Sequence, residues 1–142
     1  MIRVAAGILF RKGRILICRR KSGGPHALKW EFPGGKIKEG ETAGAALCRE
    51  LMEELLIIVR PAGLRSLDTV RHHYPQGPDV EIQFFQVGEF TGEPENLSFE
   101  EIAWVAIPDL SRHDFLEADR PLVAGIAAGE VLCHDKTMPP RA

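Results

Sequence analysis

Glu50, Glu53 and Glu54 stand close together in a stretch that reads as a helix. At about 100° per residue, with Glu50 at zero, Glu53 falls at about 300° and Glu54 at about 40°. The three carboxylates therefore share one face. Leu47, Leu51 and Leu55 fall at about 60°, 100° and 140°, an apolar stripe beside them. Such a helix packs through its leucines and offers three carboxylates along one edge. An acidic run is usually a solvated face, and spacing alone leaves that reading open. Two features favour a ligand. No Lys or Arg follows any of the three by four residues, so the ordinary helical ion pair is missing. Like charges at this spacing also cost roughly a few tenths of a kcal/mol per pair. Hard divalent cations such as Mg²⁺ or Mn²⁺ prefer carboxylate oxygens and remove that cost.

The surroundings narrow the choice. Gly35 is followed after five residues by Glu41, and after seven more by Arg49-Glu50-Leu51-Met52-Glu53-Glu54. Over residues 35–57 this resembles the Nudix signature, and Trp30-Glu31-Phe32-Pro33-Gly34-Gly35-Lys36 is similar to the MutT-like branch of that family. One position departs: Leu56 stands where the signature has glycine. That glycine lets the chain leave the helix in a left-handed conformation. Leucine there costs about 1 kcal/mol if the backbone is kept. The departure touches the helix exit and not the carboxylates.

The resemblance implies a fold and a reaction. The fold is an α/β/α sandwich with a mixed β-sheet and a central catalytic helix. The reaction is hydrolysis of a nucleoside diphosphate linked to another group, using Mg²⁺ or Mn²⁺. MutT-like members convert nucleoside triphosphates to a monophosphate and pyrophosphate, with 8-oxo-dGTP and CTP among their substrates. Metal-activated water is expected to attack in line at a bridging phosphorus. Carried over to this chain, Glu53 and Glu54 are implied metal ligands, helped by the Gly34 carbonyl. Glu50 is a further ligand or the base that orients water. Arg49 joins this catalytic group by holding a carboxylate in place, and Glu41 supports the metal shell. The family often adds a glutamate six residues before a tryptophan. Counting back from Trp104 gives Ser98, with Glu100 and Glu101 nearby. Glu100 is the expected ligand, with Glu101 as the alternative.

The same resemblance suggests who holds the substrate. Arg20, Phe32, Gly35, Lys36 and Asp119 are the expected contacts. Phe32 lies beside the base or, equally simply, in the core. Asp119 either reads the base or caps the helix that begins near Arg120 and Pro121. An ionised aspartate only accepts hydrogen bonds. It would take two from guanine or one from the cytosine amine. His72-His73-Tyr74 reads as structural, because adjacent histidines diverge. A nucleotide sugar or a dinucleotide such as ADP-ribose is the alternative substrate class. A Nudix domain that senses a nucleotide without cleaving it is the alternative of another kind, and the intact Glu50, Glu53 and Glu54 weigh against it.

These residues need elements to position them. Ile2 to Phe10 reads as a buried strand and Arg14 to Cys18 as its hairpin partner across Lys12-Gly13. Lys29 to Phe32 is a short extended piece ended by Pro33-Gly34-Gly35. Thr42 caps a helix that runs to about Leu55. Extended segments are expected over Ile57–Val59, Leu64–Val70, Val80–Val87 and Ile102–Ile107, with a loop over His72–Pro78. A second helix is expected from near Arg120 to Ala128. Residues 134–142 form a loose tail and residues 1–133 the single domain. Strands on both sides of a central helix indicate an α/β domain.

Composition agrees. The chain has 142 residues, 44% hydrophobic and 27% charged, a globular balance for one domain. Eighteen basic and 20 acidic residues give a net charge of −2. No global basic field holds such a chain on polymeric nucleic acid or an anionic membrane. All eight charged residues among the first 30 are basic. Of these, Arg11, Lys12 and Arg14 read as solvated turn residues. Arg19-Arg20-Lys21 ends a strand, where cations can meet a phosphate chain. Cys18, Cys48 and Cys133 have no disulfide or zinc spacing, which fits reduced thiols in the cytoplasm. A monomer and a homodimer are both compatible with the sequence.

Overall fold

The computed structural model describes residues 1–131. The expected tail at 134–142 and the domain limit at 133 lie outside the described residues. Among the described residues there are seven strands, two α-helices and three short 3₁₀ turns. Strand β1 (Ile2–Arg11) is the hub. It runs parallel to β6 (Asp79–Val87) and antiparallel to β4 (Gly34–Lys36). Its far end turns through Lys12-Gly13 into β2 (Arg14–Arg19). Both turn residues have positive φ, 52° and 77°, the primed geometry that suits a two-residue hairpin. Strand β2 then pairs with β3 (Trp30–Glu31) and β7 (Glu101–Ala106). Strand β5 (Leu64–His73) closes the other edge against β6. One parallel pair among antiparallel ones makes the sheet mixed, as expected.

The period of two along the strands divides the core. Ala6, Ile8 and Phe10 of β1, with Ile15 and Ile17 of β2, pack toward helix α2 (Arg120–Ala127). Ala5 and Leu9, with Leu16 and Cys18, pack toward helix α1 (Ala43–Leu55). A strand covered on both faces must be apolar at successive positions, and this explains the unbroken run in β1. Leu47, Leu51 and Leu55 of α1 are fully buried, so the predicted stripe is the packing face. The Thr42 side chain accepts the Ala45 amide at 3.1 Å and starts that helix. Among the described residues, no helix is long and apolar enough to cross a membrane.

Three local expectations are corrected. Gly34 and Gly35 do not merely end β3; with Lys36 they form β4 against β1. His72 and His73 are in β5, paired with Val80 and Asp79, so the loop between β5 and β6 is shorter than expected. The Cα ladder outweighs the polar side chains there, because an edge strand keeps one side in water. Arg11 is not a free turn residue: it pairs with Glu93 and lies over the Trp104 ring at 4.4 Å.

Candidate active site

Helix α1 brings its acidic edge against β4, and Arg49 organises it. The Arg49 guanidinium donates to both oxygens of Glu41, each at 2.8 Å. Its Nη1 also reaches Glu50 at 2.9 Å and Glu53 at 3.3 Å, and its Nη2 reaches the Lys36 carbonyl at 3.1 Å. The planar fork suits this shared task, which an ammonium cannot copy. Glu41 is held down to about 2 by Arg49 and by the Lys38 amide. The helical ion pair missing in the forward direction therefore exists in reverse, from Arg49 to Glu53 four residues on.

Glu54 is in a different environment. It accepts the Gly34 amide at 3.2 Å. Burial pushes its carboxyl up to about 8, helped by the charges of Glu50 and Glu31. Backbone geometry makes this approach possible. A Cβ on Gly34 would lie 2.0 Å from the Ala5 carbonyl oxygen, and its φ of +153° suits glycine. A Cβ on Gly35 would lie 2.4 Å from the Glu50 carboxyl carbon. Gly34 is therefore required by the β1 backbone, and Gly35 leaves the room that the Glu50 carboxylate occupies.

The helix exit follows the family pattern despite Leu56. This residue has φ 55° and ψ 38°, and its amide bonds to the Met52 carbonyl at 3.1 Å. The left-handed cap is kept with a half-exposed leucine in it.

A cavity of about 460 Å³ opens beside these groups, within the range of small-ligand sites. Arg20, Phe32, Gly34, Gly35, Lys36, Glu54 and Asp119 all line it, so the structure brings these expected residues together. The segment from Glu31 to Lys36 is the rail between the two ends. The Phe32 amide reaches Asp119 at 3.4 Å, and the Gly34 amide reaches Glu54. Phe32 serves both expected roles, since it lines the cavity and packs on Phe84 and Phe115.

Asp119 does not cap α2, because no side-chain capping bond exists there. It is 4% exposed. Burial pushes it up to about 8, with the Glu31 charge adding to the rise. A carboxyl raised in this way favours its protonated form, which donates one hydrogen bond as well as accepting, beside the pure acceptor that the sequence suggested.

Glu100 and Glu101 are not brought to the cavity. The Glu101 side chain pairs with Arg19 at 3.7 Å, and the Glu100 amide bonds the Arg19 carbonyl. Ser98, the position reached by counting back from Trp104, lies beside Glu54 in an adjoining polar recess. The residues missed from sequence are Glu31, His26 and Tyr74, which also line the main cavity. Glu31 and Tyr74 had a signal in plain view. Glu31 ends β3 one residue before Phe32, and Tyr74 directly follows β5 at the turn into β6. Tyr74 stacks near His26 and His72, whereas His73 turns away to Asp79.

The donor set fits a hard divalent cation. Glu54 is desolvated among like charges, an arrangement that a cation would relieve. Among the described residues, no three ligating groups already converge on one point. Arg49 Nη1 holds Glu50 and Glu53 together, at 2.9 and 3.3 Å.

Comparison with known proteins decides the family. The model of the NUDIX domain matches residues 1–126. The chain belongs to the Nudix family. Within it, the chain is 32% identical to the 8-oxo-dGTP diphosphatase of Escherichia coli, over 87% of this chain and 94% of that one. It is 30% identical to the CTP pyrophosphohydrolase of the same organism, over 90% and 93% of the two chains. The crystal structure of the MutT Nudix hydrolase from Burkholderia pseudomallei superposes with a TM-score of 0.79, at 30% identity and over 87% and 95% of the chains. The protein is a MutT-like Nudix hydrolase. Nudix hydrolases generally use a divalent metal, and the relatives act on nucleotides.

Proposed function

We propose that this Nudix hydrolase is a Mg²⁺- or Mn²⁺-dependent nucleoside triphosphate pyrophosphohydrolase of the 8-oxo-dGTP or (d)CTP type. One observation carries the reading. A single cavity runs from a buried Asp119 beside apolar side chains to Glu54, Gly34, Gly35 and Lys36. An apolar chamber with one polar reader suits a nucleobase. The acidic end with its cationic neighbours suits a metal-bound phosphate chain.

In this reading Glu50, Glu53, Glu54 and the Gly34 carbonyl would hold the metal, which would neutralise phosphate charge and lower the pKa of water. Arg20 and Lys36 supply positive charge for the phosphates. Arg49 keeps Glu50 and Glu53 aligned and is a positioning residue. Glu50 accepts the proton of the attacking water. Water oxygen bonds to one phosphorus of the α–β bridge and that phosphorus's bond to the bridging oxygen breaks, so pyrophosphate leaves with the bridging oxygen after attack at the α-phosphorus and the monophosphate keeps it after attack at the β-phosphorus. The monophosphate is the second product. Asp119 exchanges a hydrogen-bond pair with the base edge. The odd count of widely spaced cysteines supports a reducing, cytoplasmic setting.

The test is pyrophosphate release with Mg²⁺ across 8-oxo-dGTP, dGTP, CTP, dCTP, 5-methyl-dCTP, ADP-ribose and a diadenosine polyphosphate. Strong preference for one triphosphate is expected. Preferential cleavage of ADP-ribose or the dinucleotide would overturn the substrate class. Tight binding of one nucleotide without any turnover would replace the enzyme by a sensor.

A further inference from the structure

Two chambers meet at the site. The larger, about 460 Å³, contains Asp119; the smaller, about 290 Å³, is bounded by Lys21 and Ser98. They share four residues: Arg20, Pro25, Glu31 and Glu54. In the nucleotide reading the base lies against Asp119 and the phosphates lie at the Glu54 end with Arg20 and Lys36, so the sugar lies between them, where these four residues stand. Glu54 is placed at the metal and Arg20 at the phosphates, and Pro25 has no polar side-chain atom. Glu31 is left.

Glu31 is suited to the position. Its side chain is 18% exposed, and β3 fixes its backbone in register with Cys18. Both carboxylate oxygens lie 3.2 Å from the same nitrogen, Arg20 Nη1. One shared donor leaves lone pairs on each oxygen open to a further donor. Its charge is felt at both ends of the cavity, by Asp119 and by Glu54, as expected of a group standing between them. The donors that a nucleotide sugar offers are its hydroxyl groups.

We propose that Glu31 is a specificity-determining residue that accepts a hydrogen bond from a sugar hydroxyl of the bound nucleotide. This rests on the nucleotide reading above. Arg20 and Glu31 then act as one unit, the cation turned to phosphate and the carboxylate to sugar. A substrate without the hydroxyl leaves a desolvated carboxylate lone pair unmatched.

The experiment compares kcat/KM for CTP, dCTP and 2′,3′-dideoxy-CTP, and for the matching guanosine series, in the wild-type enzyme and Glu31→Gln. A hydrogen bond to a charged acceptor is worth about 10- to 100-fold. The wild type is expected to lose that factor on the sugar lacking the hydroxyl. A loss at the 2′-deoxy step assigns the 2′-hydroxyl, and a loss only at the dideoxy step assigns the 3′-hydroxyl. In Glu31→Gln the one amide oxygen turns to Arg20, which carries donors only. The sugar ratio should then shrink to within about fivefold, the worth of a neutral hydrogen bond. Arg20→Gln should weaken all three sugars alike and keep the ratio. Equal wild-type rates on the dideoxy and hydroxylated substrates would overturn the proposal, and so would an unchanged ratio in Glu31→Gln. If Glu31→Gln does not fold, the wild-type series and Glu31→Asp decide. If no triphosphate is cleaved, the hydrolase reading of substrate fails by itself. The same sugar ratio, measured as calorimetric affinity for the three triphosphates, then still accepts or rejects Glu31.

Discussion

Asp119→Asn is expected to make the protein more stable at neutral and mildly alkaline pH. Asp119 is nearly fully buried, and the Phe32 amide it accepts is long at 3.4 Å. Its ordinary value of 3.8 rises to about 8 in the fold, chiefly through burial. Below about pH 4 the folded and unfolded chains both keep the proton, and stability is full. Between about 4 and 8 only the unfolded chain releases it, so stability falls as pH rises. Above about 8 both forms are ionised and the slope ends. One proton contributes at most about 1.4 kcal/mol per pH unit. Coupling to Glu31 and local relaxation reduce this, and about 1 kcal/mol per unit is a reasonable expectation. Asparagine copies the shape of the neutral acid and cannot ionise. Urea unfolding at pH 5, 6, 7 and 8 should therefore show the variant and wild type separating by about 2–3 kcal/mol across that window. Taking the difference between the two proteins cancels the slopes of groups that Asp119 does not touch, Glu54 among them. Parallel curves would mean that Asp119 is ionised in the fold, and the burial argument would fail.

Glu53→Gln should depress turnover by more than the roughly 100-fold that bounds outer-shell changes, leaving the thermal midpoint nearly unmoved; turnover within threefold of wild type would remove Glu53 from the site. Arg49→Lys should raise the Mg²⁺ concentration needed for half-maximal rate and cost about 10- to 100-fold in activity, since a lysine cannot hold Glu41, Glu50 and Glu53 together; a metal titration unchanged from wild type would contradict its positioning role. Leu56→Gly removes about 1–2 kcal/mol of left-handed strain and adds about 0.4–1 kcal/mol of unfolded-state entropy cost. Thermal or urea unfolding should show a net gain of about 0.5–1 kcal/mol, and a loss would show that leucine contributes packing at the exit.

The acidic end was legible from residue types because it is local. Glu50, Glu53 and Glu54 sit within about one helical turn, and helix geometry alone puts them together. The leucine stripe and the Thr42 cap were legible for the same reason. Arg49 was legible as a holder, but its partners were not all foreseen. A guanidinium reaches across a turn to Glu41 and Lys36, which only the approach of β4 brings near. The error at His72 and His73 has a similar source. Pairing with β6 extends a strand whose own residues read as loop.

The late glutamate is a residue that counting along the chain does not place. Glu100 and Glu101 are within two or three positions of Ser98 in sequence, yet β7 sends Glu101 to Arg19. A step of one residue along a strand reverses the side chain, so nearness in sequence does not place a ligand.

By itself, then, the sequence determined the family, the longer strands, the two helices and the acidic helix edge, because each is written in spacings shorter than two turns or in apolar runs along one strand. Tertiary structure decided which acid is buried and which is paired. Glu41 and Glu54 are the same residue type, yet one is held near 2 by Arg49 and the other is driven to about 8 by burial. Desolvation depends on what the fold places overhead, and Glu31, Arg20 and Asp119 come from three separate segments to share one cavity. That convergence is a property of the packed sheet, where β1 brings β4 and β6 to its two sides.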